Sequence, residues 1–214
     1  MALRVYDTRS RTKRELIPLV EGQIGIYACG ITPYSPSHIG HARQAVAFDI
    51  IVRWLRKSGL KVNYIANFTD IDDKIIAVSS EEGVDFLEVA NRNIDDYFEV
   101  MDALNVTRAD AYPRVTETIP EIQEMITNLI DKGFAYVAKD GVYFEIDTAP
   151  EKYGQLTGQT LEMVREGAGG RVDETGSGKR DHRDFALWKS AKEGEPKWES
   201  PWGPGRPGWH IECS

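Results

Sequence analysis

The sequence predicts an α/β fold built on a parallel sheet, in a chain of 214 residues. Residues 23–28 and 61–68 are largely apolar segments that are predicted to be strands, and a long segment with helical periodicity separates them. A strand, a helix and a second strand in this order form a right-handed crossover, which makes the two strands parallel. Because ligands bind beyond the carboxyl ends of parallel strands, the residues that follow each strand are the first candidates for a functional site.

The connecting helix is predicted to run from a Ser37 cap to Ser58, with Gly59 as the residue that breaks it. Its apolar period is given by Ala42, Ala45, Val46, Ile50 and Trp54. Three further helices are predicted at residues 71–82, 85–104 and 117–132.

The pattern changes after these helices. Residues 134–146 alternate with period two around Asp140 and Gly141, which indicates a β-hairpin. An antiparallel pair does not continue a parallel sheet, so we interpret residues 116–200 as an inserted α+β module. The chain then has three parts, residues 1–115, 116–200 and 201–214.

The end of the chain is predicted to be irregular. Residues 167–183, rich in Gly, Asp and Lys, and residues 199–209 are predicted as loops, whereas residues 210–213 resemble the first turn of a helix. A chain that stops where an element begins is expected to be a piece of a longer protein.

Composition narrows the class of protein. A hydrophobic content of 41% and a charged content of 28% are typical of a soluble globular protein. A formal net charge of −8 argues against a surface that grips nucleic acid everywhere, so any RNA contact must be local. The first residues lack a secretory signal, and Asp49 and Arg53 interrupt the longest apolar stretch, so we predict a cytoplasmic protein without a membrane partner.

Two histidines at the start of the first helix are candidates for phosphate binding. His38 and His41 lie one turn apart, where helical amides and the helix dipole favour an anion, and Gly40 leaves room for a ligand beside the backbone. Their imidazoles could donate hydrogen bonds to phosphate oxygens. Solvated surface histidines are the alternative.

The two cysteines are a weaker pair of candidates. Cys29 ends the first strand and Cys213 follows a glycine-rich loop, so both could bind a metal, although distant cysteines are more often structural. His210 could join Cys213 as a ligand or be solvated. Thr69 and Asp70 end the second strand and either cap the next helix or face the site.

Several motifs together resemble the cysteinyl-tRNA synthetases, class I enzymes with the nucleotide signature H-I-G-H. The matching segments are C-G-I-T-P-Y, H-I-G-H, N-F-T-D-I-D-D-K, D-F-A-L-W-K and P-G-W-H-I-E-C-S, at residues 29–34, 38–41, 67–74, 184–189 and 207–214. The likeness covers essentially the whole chain. It implies the first half of a Rossmann-like nucleotide-binding fold, with the insertion as the connective module near the tRNA acceptor end.

The resemblance also implies an activity, cysteine–tRNA ligase. ATP, with Mg²⁺, would activate cysteine as cysteinyl adenylate, and the cysteinyl group would then pass to tRNA(Cys). His38 and His41 would be the catalytic residues, and they would bind ATP together with Gly30, Thr32, Pro33 and Gly40.

The family resemblance further implies an amino-acid site and one zinc ion. Cys29, Gly30, Thr69 and Trp209 match positions of the amino-acid pocket, and Cys29 and Cys213 match two zinc ligands. The substrate thiolate also binds that zinc in the family. Serine is then rejected, because a hydroxyl is a poorer zinc ligand than a thiolate.

The family's other zinc ligands, its K-M-S-K-S loop and the second half of its nucleotide fold follow the position of Cys213. We therefore expect an N-terminal piece with an incomplete zinc site, impaired alone, whose further partner is the remaining C-terminal portion. The alternatives are the related ligase that joins cysteine to an amino sugar in mycothiol synthesis, a non-catalytic nucleotide- or zinc-binding module, and a general nucleotidyltransferase.

Overall fold

The computed structural model of the chain describes residues 3–158 and 178–214. Two compact units divide these residues. The hairpin unit comprises residues 3–17, 120–158, 178–212 and 214, and the crossover unit comprises residues 18–119 and 213. Most of the glycine-rich loop predicted at residues 167–183 lies outside the described residues.

The hairpin unit begins with two antiparallel strands that the sequence did not predict. Strand β1, Arg4–Asp7, pairs with β2, Thr12–Glu15, and Arg4 lies opposite Glu15. Nearly every residue of the two strands is exposed. Apolar alternation therefore gives no signal here.

The crossover unit contains the predicted strand, helix and strand. Strand β3 is Gln23–Ile31, helix α1 is Ile39–Lys57 and strand β4 is Lys61–Phe68. The two strands pair in parallel, from Gln23 opposite Lys61 to Ala28 opposite Ala66. The parallel crossover and the bounds of β4 are confirmed.

The predicted start of α1 is wrong by one residue. The N-cap is His38 rather than Ser37, because the His38 backbone is extended, at φ −131°, and its imidazole accepts a hydrogen bond from the Gly40 amide. The C-cap is Ser58, as predicted, and Gly59 follows with φ +88°. A left-handed conformation favours glycine at this position.

The apolar residues of α1 lie on two faces. Ala45, Val52 and Leu55 are buried within the chain. Ile50 and Trp54, which belong to the predicted apolar period, are 62% and 60% exposed. The periodicity therefore identified the helix, but only part of the period faces the core.

Two more helices complete the crossover unit. Helix α2 is Asp73–Glu82 and helix α3 is Phe86–Ala103, with Asp72 and Asp85 as their N-caps. Both predicted helices are confirmed, although the cap predicted at Thr69 or Asp70 lies at Asp72. An aromatic core forms beside β4, consisting of Ile31, Phe68, Ile94, Tyr97, Phe98 and Tyr112.

The rest of the hairpin unit is a helix followed by an antiparallel sheet. Helix α4 is Ile119–Asp131, and the sheet has the order β5-β6-β7-β8. Its strands are Ala135–Ala138, Gly141–Phe144, Phe185–Ser190 and Gly205–Pro207. The predicted β5–β6 hairpin is confirmed. The loop prediction is wrong at β8, which pairs with β7.

The last residues, Ile211–Cys213, form one short 3₁₀ turn, in agreement with the helical turn predicted there. No helix in residues 3–158 or 178–214 combines the length and the apolar character that a bilayer crossing requires. The domain boundaries at residues 115 and 200 stay a prediction.

Candidate active site

A bulge at the carboxyl end of β3 shapes the site. The pairing with β4 shifts register between Ala28 and Ile31. Within the bulge, the Gly30 amide donates to Asn67 Oδ1 at 2.8 Å, and a Cβ at Gly30 would overlap the Asn67 carbonyl oxygen. Only glycine allows the two strands to approach this closely. Bulges are common next to active sites, and this one contains the exposed Cys29.

The two thiols lie around one tyrosine. Burial raises the pKa of Tyr27 to about 12, and the nearby Cys213 and Cys29 add to this shift, Cys213 also through a hydrogen bond. Asn67 Nδ2 lies 3.8 Å from Cys213 Sγ. Within the crossover unit, Cys213 therefore lies beside Tyr27 and Asn67, and Cys29 lies near the same tyrosine, whereas their action as a pair stays a prediction.

Sequence reasoning gave no role to Tyr27 or Asn67. Tyr27 lies two residues before Cys29 on β3, so strand alternation was the available signal for it. Asn67 stands in the N-F-T-D segment, but only the bulge at Gly30 gives its side chain a function.

His38 and His41 form a stacked pair at the start of α1. Their ring centroids are 3.9 Å apart, with an angle of 23° between the planes. His38 Nδ1 accepts from the Gly40 amide at 3.0 Å, and His41 Nδ1 accepts from the His38 amide at 3.4 Å. Because both Nδ1 atoms accept, each neutral ring carries its proton on Nε2. Two Nε2–H groups are then available as donors to a ligand.

The surroundings of His41 favour its neutral form. Burial lowers the pKa of His41, the neighbouring His38 lowers it further, and Asp96 opposes both effects. A Cβ at Gly40 would lie 2.7 Å from His38 Cε1, so the glycine makes room for the His38 ring. The His38 ring therefore packs against the backbone at Gly40.

Helix α3 holds the turn that precedes the histidines. The Ser37 amide donates to Asp96 Oδ2 at 2.7 Å, and Asn93 Nδ2 donates to the Pro33 carbonyl at 3.2 Å. Pro33 is fully buried, and the Thr32 carbonyl accepts from the amide of residue 34 at 2.9 Å. Sequence reasoning missed Asn93 and Asp96, because nothing in the sequence links them to a turn about 60 residues earlier.

The residues after β4 have mainly structural contacts. Thr69 is buried, and its amide donates to the Ile31 carbonyl at 3.0 Å. Asp70 is completely buried and accepts from the Thr116 amide at 3.0 Å and from the Thr116 hydroxyl at 2.7 Å. Asp70 therefore does not cap the next helix, as one alternative proposed, but holds residue Thr116. Thr69 keeps its predicted place at the strand end.

Trp209 belongs to the hairpin unit, where it is 47% exposed and its ring centroid lies 5.2 Å from that of His210. His210 in turn lies edge-on to Phe185, at 4.7 Å. The assignment of Trp209 to the amino-acid pocket stays a prediction.

The described residues do not provide enough ligands for a metal site. Among them, no group of three or more His, Cys, Asp or Glu side chains could hold a metal ion. Structural zinc takes four ligands and catalytic zinc takes three protein ligands, so Cys29 and Cys213 alone are too few. No reaction step is therefore assigned to a metal bound by these two thiols.

A parallel crossover, a bulged strand end and a histidine pair at the start of the next helix make up the candidate site. The family model "tRNA synthetases class I (C) catalytic domain" matches residues 15–214, and the chain belongs to this family. A solved Mycobacterium tuberculosis methionyl-tRNA synthetase bound by methionyl-adenylate has a TM-score of 0.64 with 15% identity, over 89% of this chain and 45% of that chain. The Rossmann-like α/β fold is thereby confirmed.

Curated relatives resemble the chain over its whole length. The cysteine–tRNA ligase of Pyrococcus horikoshii is 53% identical over 214 residues, which are 100% of this chain and 44% of that protein. The cysteine–tRNA ligase of Syntrophobacter fumaroxidans is 51% identical over 100% of this chain and 43% of its own length. The chain thus spans less than half the length of these relatives.

Proposed function

We propose that this chain supplies ATP- and cysteine-binding groups of a cysteine–tRNA ligase. The observation that supports this most is the grouping, within the crossover unit, of two thiols near Tyr27 and two imidazoles that accept backbone amides through Nδ1, which leaves the proton on Nε2. Relatives that are more than half identical carry this ligase name, so the mycothiol alternative is not favoured.

The histidine pair would act in the first step. The carboxylate of cysteine attacks the α-phosphorus of ATP, a P–O bond forms, and the bond to the departing pyrophosphate breaks. Negative charge increases on the α-phosphate oxygens, where Nε2–H donors of His38 and His41 would stabilise it. Removal of one preorganised donor of this kind costs about 3 kcal/mol in the barrier. The cysteinyl group then passes from AMP to the terminal adenosine of tRNA(Cys).

The remaining assignments define the two pockets. Gly30, Thr32, Pro33 and Gly40 would lie along the ATP, which binds with Mg²⁺. Cys29, Gly30, Thr69 and Trp209 would contact the cysteine.

The zinc ion implied by the resemblance stays a prediction, because Cys29 and Cys213 are only two of its ligands. Elemental analysis tests it. We expect substoichiometric zinc in the 214-residue chain, and none in a Cys213→Ser variant. One zinc per chain in that variant would contradict the assignment of Cys213.

We further infer that the 214 residues bind the reaction intermediate but activate cysteine slowly. The sequence contains no K-M-S-K-S segment, the lysine loop of the family. The cytoplasmic location stays a prediction, as does the remaining C-terminal portion as a partner.

Calorimetry with a non-hydrolysable cysteinyl-adenylate analogue tests the function. We expect binding by the chain, and at least tenfold weaker binding by a His38→Ala/His41→Ala variant. A matched control is His182→Ala, because His182 is an exposed histidine of the other unit. Equal binding by both variants would contradict the role of the histidine pair.

Cysteine-dependent pyrophosphate exchange tests the rate. A rate close to that of a full-length relative would contradict slow activation by the 214 residues. No exchange by a longer polypeptide that includes this chain would contradict the ligase function itself.

A further inference from the structure

The first strands of the hairpin unit form a cationic surface on an acidic protein. We call residues 3–17 the basic hairpin. It has five basic side chains against two carboxylates, a net charge of +3, so the rest of the chain carries −11. Its basic residues are Arg4, Arg9, Arg11, Lys13 and Arg14. Because the chain as a whole is acidic, it can bind a polyanion only through a surface with a local excess of positive charge.

Within residues 3–158 and 178–214, carboxylates neutralise only part of this charge. Arg14 pairs with Asp7 at 3.3 Å. Among the described residues, Arg9 and Arg11 instead meet neutral acceptors, Gln155 Oε1 at 3.1 Å and the Thr157 carbonyl at 3.4 Å. A guanidinium that donates to a neutral oxygen keeps its full charge and its other N–H groups for a partner.

Arg4 and Lys13 add two positive charges to those of Arg9 and Arg11. Arg4 donates to the Lys13 carbonyl at 2.7 Å, another neutral acceptor, across the β1–β2 pairing. The strands are exposed along their length, so these side chains are accessible.

The two arginines are also held in place. Gly158, at φ +72°, lies against the Arg11 guanidinium, and a Cβ there would overlap it. Arg9 and Arg11 therefore reach the same short segment, residues 155–158, from the turn of the hairpin. A cation that is already ordered loses less side-chain entropy when it binds a partner.

We propose that the basic hairpin contacts the phosphate backbone of tRNA, with Arg9 and Arg11 as its central residues. This proposal rests on the proposed function, which requires a tRNA substrate. Fixed, unneutralised guanidinium groups suit phosphate oxygens, which they bind through paired N–H groups. Backbone contacts position an RNA without reading its sequence, so the hairpin would add affinity rather than selectivity among tRNAs.

Fluorescence anisotropy with a labelled tRNA(Cys) transcript, over a series of salt concentrations, tests the proposal. An Arg9→Gln/Arg11→Gln variant should reduce the slope of log K against log salt by about one for each arginine. From that slope, affinity at 0.1 M salt should fall roughly eightfold per lost contact. An unrelated tRNA should show the same loss, because the contact is to the backbone.

Two further variants separate charge from structure. Arg14→Gln is the matched control, since its guanidinium is already paired with Asp7, and it should change the slope least. Arg9→Lys/Arg11→Lys keeps both charges but not the planar groups that donate to Gln155 and Thr157, and it should retain most of the slope. Thermal unfolding of each variant checks that the fold is preserved.

Three results would overturn the proposal. One is an Arg9→Gln/Arg11→Gln variant, folded like the parent, that binds tRNA with the parent's affinity and slope. Another is loss of slope in the lysine variant equal to that in the glutamine variant. The third is a parent chain that binds vesicles of anionic phosphatidylserine but not tRNA. None of these results affects cysteine-dependent pyrophosphate exchange, which needs no tRNA and judges the proposed function separately.

Discussion

At the scale of single residues, the candidate site depends on two glycines that lie so close to neighbouring atoms that no side chain would fit there. Gly30 lies against the backbone of β4, and Gly40 lies under the His38 ring. Neither glycine has a positive φ, so backbone conformation does not require glycine at these positions. The lack of a Cβ does, because a Cβ would overlap a neighbouring atom. The chemistry of the neighbouring thiols and imidazoles thus depends on residues that have no reactive group.

A Gly30→Ala substitution should destabilise the chain. The added Cβ would overlap the Asn67 carbonyl oxygen, so β3 and β4 must separate, at a cost of about 1–3 kcal/mol or more. Urea unfolding measures the loss. Gly25→Ala is the control, because Gly25 lies on the same strand and a Cβ added there would meet no atom within 4 Å. Equal midpoints for the two variants would contradict this account of the bulge.

An Asp96→Asn substitution should lower the pKa of His41 further. The carboxylate opposes the burial and the His38 repulsion that already lower this pKa below the usual 6.5. A histidine with a lowered pKa in the folded state stabilises the fold fully above the unfolded pKa and loses this contribution as the pH falls. The variant should therefore lose more stability as the pH falls below about 6.5.

NMR titration of the imidazole resonances measures this shift directly. Asp95→Asn is the matched control, since Asp95 is the exposed neighbour of Asp96 on α3. A His41 titration that is the same in both variants would contradict the role of Asp96.

At the scale of elements, α1 has two apolar faces with different roles. Leu55 is 2% exposed, whereas its neighbour Trp54 is 60% exposed. Only the buried face contributes to the stability of the 214-residue chain, because burial of apolar area is the source of that contribution.

Substitutions on the two faces should therefore differ. Leu55→Ala should reduce the free energy of unfolding by about 2–5 kcal/mol, through lost packing and a cavity. Trp54→Gln should change it by no more than about 0.5 kcal/mol, as is usual for exposed positions. Chemical denaturation of the 214-residue chain measures both. A loss for Trp54→Gln as large as that for Leu55→Ala would show that Trp54 is buried in solution.

The sequence predicted elements with strong periodicity better than it predicted contacts between them. Strand β4 has its predicted bounds because its apolar residues, Val62, Tyr64, Ile65, Ala66 and Phe68, lie in one short segment just after Gly59 and just before the next helix. The sequence predicts Ser37 as the N-cap of α1, because serine is a preferred capping residue and histidine is not. In the structure the His38 side chain accepts from an amide of its own helix and takes this position. Asp96 was missed because its contact with the Ser37 amide joins distant parts of the chain.

At the scale of the whole molecule, each unit has its own buried core. In the hairpin unit the core includes Trp188 and Ile146, at 0% and 1% exposure. The buried carboxylate of Asp184 links strand β5 to the residues that follow β6. It accepts hydrogen bonds from the Tyr136 hydroxyl at 2.7 Å and from the Ile146 amide at 3.1 Å. Burial raises the pKa of Tyr136 to about 12, so the hydroxyl stays protonated and donates a hydrogen bond to Asp184.

An Asp184→Ala substitution should destabilise the hairpin unit more than the crossover unit. It leaves the Tyr136 hydroxyl and the Ile146 amide buried without this acceptor, at a cost of about 1–3 kcal/mol for each donor. Hydrogen exchange should show faster exchange in β5, β6 and β7, with β3 and β4 unchanged. Asp184→Asn keeps one acceptor oxygen and should lose less, and the exposed Glu193→Ala should lose nothing. Equal acceleration in both units would mean that they unfold together, and that Asp184 stabilises the chain as a whole.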